Sequence, residues 1–269
     1  MTNPTDTVAI KKPRAGRPKR TAPGDDENRL AANRIFEAAL ALIDAKGVAE
    51  FTIRELATAL GVAPAAIYWH VPNRDALLAG AVNLAMRGVA DAVPLRGVWQ
   101  NRLRKLLGAF RAALRAHPKL APAVASEMSY NASFDEALLE RIVGMLEDAG
   151  FDGAALVDAF NVVVAAMCGF ATLELSSAPV TADWQTACRQ HVSAVDKHRY
   201  KKLGRHLPAL EDNAFLVRWT DGTEKPLDSG FDAWVDVIVL GLERKAANVA
   251  GVGSVGTVAT LPGQAARAE

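Results

Sequence analysis

The chain is short of cysteine: Cys168 and Cys188 are the only two in 269 residues. Two cysteines cannot build a disulfide framework, and a reducing, cytoplasmic setting is expected. Excess charge of either sign is also missing. Lys and Arg number 31 against 30 Asp and Glu, a net charge of +1, so any nucleic-acid site must come from local clustering. No long apolar run is uninterrupted. The most apolar stretch, residues 154–175, contains Asp158, Asn161 and Glu174, and is read as a buried core helix rather than a membrane span. The N-terminus is polar and basic with no apolar segment behind its charges, so no secretory signal is expected. No repeat of fixed period is evident. A nucleophile elbow, a phosphate loop and a His-Glu metal string are all lacking. No catalytic residue, metal or cofactor is therefore expected, and the chain is not expected to be an enzyme. What is present is 50% hydrophobic residues, ample for a core of one or two domains.

Residues 1–28 hold Pro, Thr, Gly and charge with almost no large apolar side chain, and are expected to be a disordered basic arm. Six of the ten residues 11–20 are basic and none is acidic. Such a run either solubilises the chain or follows a phosphate backbone. Gly16-Arg17-Pro18 is an extended tripeptide that fits a minor groove, which makes Arg17 a candidate DNA contact. From Asn28 the pattern turns helical: Ile35, Ala38, Ala39 and Leu42 recur at helical spacing and Gly47 is a stop. Thr52-Ile-Arg-Glu55 is a capping box that starts a second helix. Ile53, Leu56, Ala57 and Leu60 form its buried face, and Gly61 ends it in a sharp turn. Pro64 suits the first turn of a third helix. Ile67 and Val71 continue its buried side up to Pro72, and Asn73 caps the next helix. Two short helices across a glycine turn, with a third in front, make a helix-turn-helix. Tyr68, Trp69 and His70 fall near the end of its second short helix, where some must face outward and reach phosphates.

At this point the string "FTIRELATALGV....IYWHVPNRDALL" resembles the DNA-binding domain of the tetracycline-repressor (TetR) family, closely over residues 29–80. The resemblance implies an all-α fold: a three-helix DNA-binding domain at 29–80, and a helical ligand-binding and dimerisation domain at 81–247. It implies a ligand-responsive transcriptional regulator, a repressor that binds a palindromic operator as a homodimer and is released by a small, apolar or amphipathic effector. It also implies roles for single residues. Arg54 stands where the family can read a guanine, and Thr52 where a hydroxyl meets a phosphate. Tyr68 and His70 stand at phosphate-contacting places, and Arg74 where a basic residue pins the backbone. Trp69 contacts DNA or packs on the first helix. Ala63, Pro64, Ala65 and Ala66 depart from the family, which often places polar side chains there. Ala66 offers only apolar contact, for example to a thymine methyl, so readout rests on few residues together with DNA shape and the arm.

The remainder reads as helices. Trp99, Leu103, Leu106, Leu107, Phe110, Leu114 and His117 give one amphipathic helix, broken by Pro118. Leu138, Ile142, Met145 and Leu146 mark another, closed by Gly150. The 154–175 helix is apolar on most faces. In the last long helix Phe231, Trp234, Val235, Ile238 and Leu242 form one side, and Val237, Leu240 and Gly241 make the far side apolar too. Two such helices need a partner, and the resemblance implies a four-helix dimer bundle. Candidate effector-binding residues are Phe110, Met128, Phe160, Asn161, Met167, Cys168 and Phe170, although core packing accounts better for any single one of them. Asp158, Asn161, Cys168 and Thr172 form a polar seam whose partner is a ligand, a neighbouring helix or the dimer mate. Cys188, His191 and His198 have the spacing for a soft metal, in a segment whose many basic residues read as a solvated helix. Residues 248–269 are expected to be a disordered tail. Two other classes stay open: a constitutive DNA-binding protein without effector, and an enzyme with a DNA-binding appendage.

Overall fold

The computed structural model describes residues 23–130, 135–175 and 182–255, with side chains at 23–30, 125, 127–130, 182 and 250–255 outside that description. Arg17 and the basic arm before Pro23 lie outside the described residues. Among those described, all regular structure is helical.

The first four helices make the N-terminal head: α1 (Pro23–Lys46), α2 (Ile53–Leu60), α3 (Pro64–Tyr68) and α4 (Arg74–Ala85). Ile35, Ala39 and Ile43 of α1 meet Leu56 of α2, Ile67 of α3 and Leu77 of α4 in one buried core. The head depends on a close crossing of α1 and α4. A Cβ at Gly80 would stand 2.2 Å from the Phe36 ring, so only glycine lets the ring lie on the α4 backbone.

The body follows: α5 (Trp99–Ala116), one turn of 3-10 helix (Pro118–Leu120), α6 (Ala121–Tyr130), α7 (Glu136–Asp148), α8 (Gly153–Leu175), α9 (Ala182–Ser193), α10 (Lys201–Leu210) and α11 (Asp228–Val255). α8 is the hub, packed against α5, α6, α7 and α11. Its length and composition would let it cross a membrane, yet Val163, Met167 and Phe170 are buried among the helices around it. α7 starts on the Asp135 cap, which accepts the Ala137 and Leu138 N–H groups at 2.9 and 3.2 Å. It is followed by Gly150 at φ +91°.

Four boundaries differ from the sequence reading. α1 begins at Pro23, inside the expected arm. α3 stops at Tyr68 and not at Pro72, so Trp69 and His70 lie in the turn after it. α11 runs to Val255, well into the expected tail, because a helix already built extends cheaply. The basic segment expected as one helix is two, α9 and α10, separated by residues 194–200.

Head and body meet at the end of α1. His117 Nδ1 lies 2.8 Å from Asp44 Oδ2, and Lys119 Nζ donates to the Ala45 carbonyl at 2.6 Å. Lys46, next in the chain, pairs with Glu55 of α2.

Candidate nucleic-acid interface and effector cavity

The helix-turn-helix is built by local chemistry. Thr52, in extended conformation, accepts the Glu55 N–H at 3.3 Å and caps α2. Its hydroxyl donates to Glu55 Oε2 at 3.1 Å. The Lys46 ammonium and then the Thr52 hydroxyl hold the Glu55 carboxyl below its usual range. Gly61 takes φ +67°, ψ +30°, and its N–H returns to the Ala57 and Thr58 carbonyls. That left-handed geometry is strained for a side chain and free for glycine. Pro64 opens α3. Ile67 and Val71, one turn apart, are 1% and 2% exposed and anchor α3 to the head. Asn73 Oδ1 accepts the Ala76 N–H at 2.7 Å and starts α4.

This anchoring fixes what faces out. Arg54 is exposed. Tyr68 is 50% and Trp69 86% exposed, so Trp69 does not pack on α1. His70 is exposed in the same turn. Ala66 is half-buried and shares a shallow groove with Arg34, Val62 and His70. Two expected phosphate contacts already have intramolecular roles. The Thr52 hydroxyl hydrogen is directed at Glu55. Arg74 is exposed, with Nη2 donating to the Val48 carbonyl at 2.7 Å, which ties α4 to the loop before α2. Arg54 on α2 and Tyr68, Trp69 and His70 at and just beyond the end of α3 are thus all exposed, as is Arg74 at the start of α4. Presentation of such basic and hydrogen-bonding side chains suits a phosphate backbone and base edges.

The candidate effector residues Phe110, Phe160, Met167 and Cys168 lie in or against one core cluster. Phe110 and Met167 are 1% and 2% exposed within the core. Phe160 packs against that core, and Asn161 faces solvent. Cys168 is partly buried, and burial pushes its thiol up to about 11, which makes it a poor nucleophile. Met128 lies on α6, its side chain outside the described residues. The cavity lies elsewhere, between α8 and α11, with a volume of about 690 Å³. Ala165, Gly169 and Leu173 line it from α8, and Trp234, Val237 and Ile238 from α11. Only Phe170, among the described candidates, lines it too. Phe170 meets Phe215 edge-on, ring centres 5.1 Å apart. Both rings also border an adjoining space of about 530 Å³ that Asn213, Lys225 and Ser229 make polar.

Of the polar seam, Asp158 and Asn161 face solvent and Thr172 donates to the Cys168 carbonyl. The seam shares the outer side of α8 with the exposed Val157 and Leu173, and α11 exposes Val237 and Leu240. Cys188 and His191 lie on α9, His198 in the turn beyond it. The Cys188 thiol points to the Arg218 carbonyl at 3.7 Å. Among the described residues no group of three His, Cys, Asp or Glu side chains is placed to hold a metal.

Sequence reading missed the charged centre of the body. Arg111 donates to both Glu174 oxygens, Nε to Oε2 at 2.8 Å and Nη2 to Oε1 at 2.6 Å. Its Nη2 is 2.9 Å from Asp228 Oδ1, and its guanidinium lies 4.5 Å from the Phe231 ring centre. Glu174 also accepts the Leu227 N–H at 2.7 Å. The network joins α5, the end of α8 and the start of α11 beside the cavity. The only hint in the sequence is Glu174 itself, a lone charge near the end of an apolar helix.

A head with a helix-turn-helix, on a helical body centred on one apolar helix, defines a class of all-helical proteins. Comparison with known proteins is specific. Residues 35–81 match the family of bacterial regulatory proteins of the tetR type, and residues 93–243 match the tetracycline-repressor-like C-terminal domain. The second match alone spans more than half of the chain, and the chain belongs to the TetR family. It is 40% identical over 88 residues to the class D tetracycline repressor protein of Escherichia coli. That alignment covers 32% of this chain and 40% of the relative, so the likeness spans less than half of that protein. A possible TetR family transcriptional regulator from Streptomyces coelicolor superimposes with a TM-score of 0.62 at 25% identity, covering 79% of this chain and 98% of the other. Apo ActR from the same organism gives 0.63 at 20%, covering 81% and 97%.

Proposed function

We propose that the chain is a ligand-responsive transcriptional regulator: a repressor that binds a palindromic operator as a homodimer and is released by a small apolar or amphipathic molecule. Residues 29–80 are its DNA-binding unit and 81–247 its regulatory and dimerisation unit, in a soluble, cytoplasmic, non-catalytic protein. The observation that carries the reading is the exposure of Arg54, Tyr68, Trp69 and His70 beside the buried Ile67 and Val71. Arg54 reads a base edge, Tyr68 and His70 take phosphates, Trp69 lies against the backbone, and Ala66 makes apolar contact with a base. Arg74 and Thr52 act on the backbone mainly by positioning the helices they hold. Arg17 adds a contact from the arm.

Two further observations support the regulatory half. Val157 and Leu173 of α8, with Val237 and Leu240 of α11, expose apolar surface on two adjacent helices, which suits a second subunit forming a four-helix bundle. The apolar concavity between α8 and α11 shares Leu173 and Val237 with that surface and is within the usual size range of ligand pockets. The class D relative is by name a tetracycline repressor, which supports effector-controlled repression. The test is to incubate the purified protein with fragments of its own genome, sequence those retained, and titrate the enriched duplex. A single palindromic motif bound with nanomolar Kd is expected. Retention without sequence preference would overturn the reading.

A further inference from the structure

Residues 197–210 contain Lys197, Arg199, Lys201, Lys202 and Arg205 and no acidic residue. All five cations are exposed. Five other basic residues of the body find acidic partners: Arg102 pairs with Asp148, Arg104 with Asp236, Arg111 with Glu174, Arg115 with Asp228 and Lys225 with Asp212. Among the described residues none of the five has an ion pair. Five like charges within nine residues of a chain of net charge +1 repel one another, and an anionic partner removes that cost.

The segment is also held by local hydrogen bonds. Asp196 Oδ1 accepts the N–H groups of His198 and Arg199 at 2.9 and 3.0 Å, turning the one neighbouring carboxylate toward the backbone. The Tyr200 N–H bonds to the Asp196 carbonyl and the Gly204 N–H to the Tyr200 carbonyl, at 2.9 and 2.8 Å. A Cβ at Gly204 would lie 2.9 Å from Lys197 Cβ, so the turn is seated directly on α10. Leu207 is fully buried and marks the inner side of α10. Lys201, Lys202 and Arg205, at i, i+1 and i+4, lie on the side of α10 away from Leu207. The result is a pre-formed basic knuckle and not a loose charged tail.

We propose that this knuckle is a second polyanion-binding surface, separate from the helix-turn-helix, and that its partner is the phosphate backbone of a second segment of double-stranded DNA. The proposal rests on the DNA-binding reading above, since it assigns the head to the operator and the knuckle to another duplex. Duplex DNA carries one negative charge per about 1.7 Å of its length, a density that five clustered cations match without directional contacts. A protein partner fits less well. The knuckle itself exposes only Tyr200 and Leu203 as large apolar side chains, 50% and 39%, too little for the core of an interface that buries about 800 Å² per partner.

The test uses the full chain and a variant in which Lys197, Arg199, Lys201, Lys202 and Arg205 are all replaced by Gln, which removes the charge and keeps helix propensity. Protein is saturated with immobilised operator duplex, and a labelled non-operator duplex of thirty base pairs is added at low salt. The wild type is expected to retain the second duplex, and the Gln variant to retain at least tenfold less. Operator affinity of the two should agree within twofold. The log–log salt slope for the second duplex should fall by about 0.9 for each phosphate that the variant no longer neutralises. Equal retention by both proteins, or none by the wild type, would overturn the proposal. Loss of operator affinity in the Gln variant would also overturn it and place the knuckle on the first duplex. Retention of poly-L-glutamate without the second duplex would assign the surface to an acidic polypeptide instead. An absence of operator binding by the wild type would be a failure of the head, distinct from all of these.

Discussion

Replacing Arg111 by Met should destabilise the body more than any surface change, and a second substitution at Glu174 should partly repair it. The Glu174 side chain is fully buried and that of Arg111 is 10% exposed. The single variant loses a bidentate pair at 2.6 and 2.8 Å and the stacking on Phe231. It leaves a carboxylate buried with the Leu227 N–H as its remaining close donor. Removing one partner of a buried pair costs about 3–5 kcal/mol, because the other charge remains uncompensated. In Arg111→Met/Glu174→Gln that charge is gone and Gln still accepts the Leu227 N–H. The double variant should therefore be more stable than Arg111→Met by at least about 1 kcal/mol. The assay is urea unfolding at fixed protein concentration, since an associating protein gains stability with concentration.

The pH dependence gives a second, independent sign. Burial raises the Glu174 pKa, but the Arg111 hydrogen bonds and then the Leu227 N–H outweigh it, so the net shift is downward. A depressed carboxyl contributes stability above its unfolded value of 4.5 and loses that contribution as pH falls through the folded value. In Arg111→Met the Arg111 share is lost while burial still opposes the Leu227 N–H and Arg115, so the Glu174 pKa should rise and acidification should remove less stability than in the wild type. The two curves should converge in acid. A deficit of under about 1 kcal/mol at neutral pH, a double variant no better than the single one, or parallel pH curves would each refute the argument.

Four further outcomes are expected. Burial pushes the Asp212 carboxyl up, but it accepts hydrogen bonds from the Thr220 N–H and hydroxyl, the Trp219 N–H and the Lys225 ammonium, and its pKa falls to about 2. Its contribution should persist down to about pH 4 and vanish toward about pH 2, and Asp212→Asn should remove that acid-labile step from Trp219 fluorescence. Gly80→Ala drives a methyl into the Phe36 ring and should destabilise the head by about 1–3 kcal/mol, with Phe36→Ala restoring part of the loss; calorimetry reads both. Leu240→Asp places a charge on the exposed apolar side of α11 and should shift sedimentation toward monomer while the helical circular dichroism is retained. Arg54→Ala should cost about 1–3 kcal/mol on the operator and much less on scrambled DNA, whereas Tyr68→Phe should weaken both alike; equal losses for Arg54→Ala would make it a backbone contact.

The parts of this molecule legible in its sequence are those whose cause lies within a few residues. The Thr52 cap, the left-handed Gly61, Pro64 at the start of α3 and the Asn73 cap each need only their own neighbours, and all stand where the pattern places them. Ile67 and Val71 are buried because one turn of helix separates them. The exposure of Tyr68, Trp69 and His70 follows from that burial, so a string of about twenty residues carries both fold and candidate contacts. The expected basic arm runs too far into the chain because a lack of apolar residues hides the helix start at Pro23.

Pairings between distant segments leave no such trace. Arg111 and Glu174 are 63 residues apart, and His117 and Asp44 are 73 apart; each reads locally as an ordinary charged position beside an apolar stripe. Effector candidates chosen by residue type fall mostly in the core for a related reason. Phe110 and Met167 are large and apolar, the qualities that fill space, and they are 1% and 2% exposed within a packed core. A cavity forms where side chains are too small to meet. Ala165, Gly169 and Gly230 leave that room between α8 and α11, and none has a side chain that announces a ligand. The same logic separates the two basic surfaces. Charge on the head is read through its motif, whereas the knuckle at 197–205 becomes distinctive only when Gly204 and Asp196 are seen to hold its turn and its five cations are seen to lie in the open.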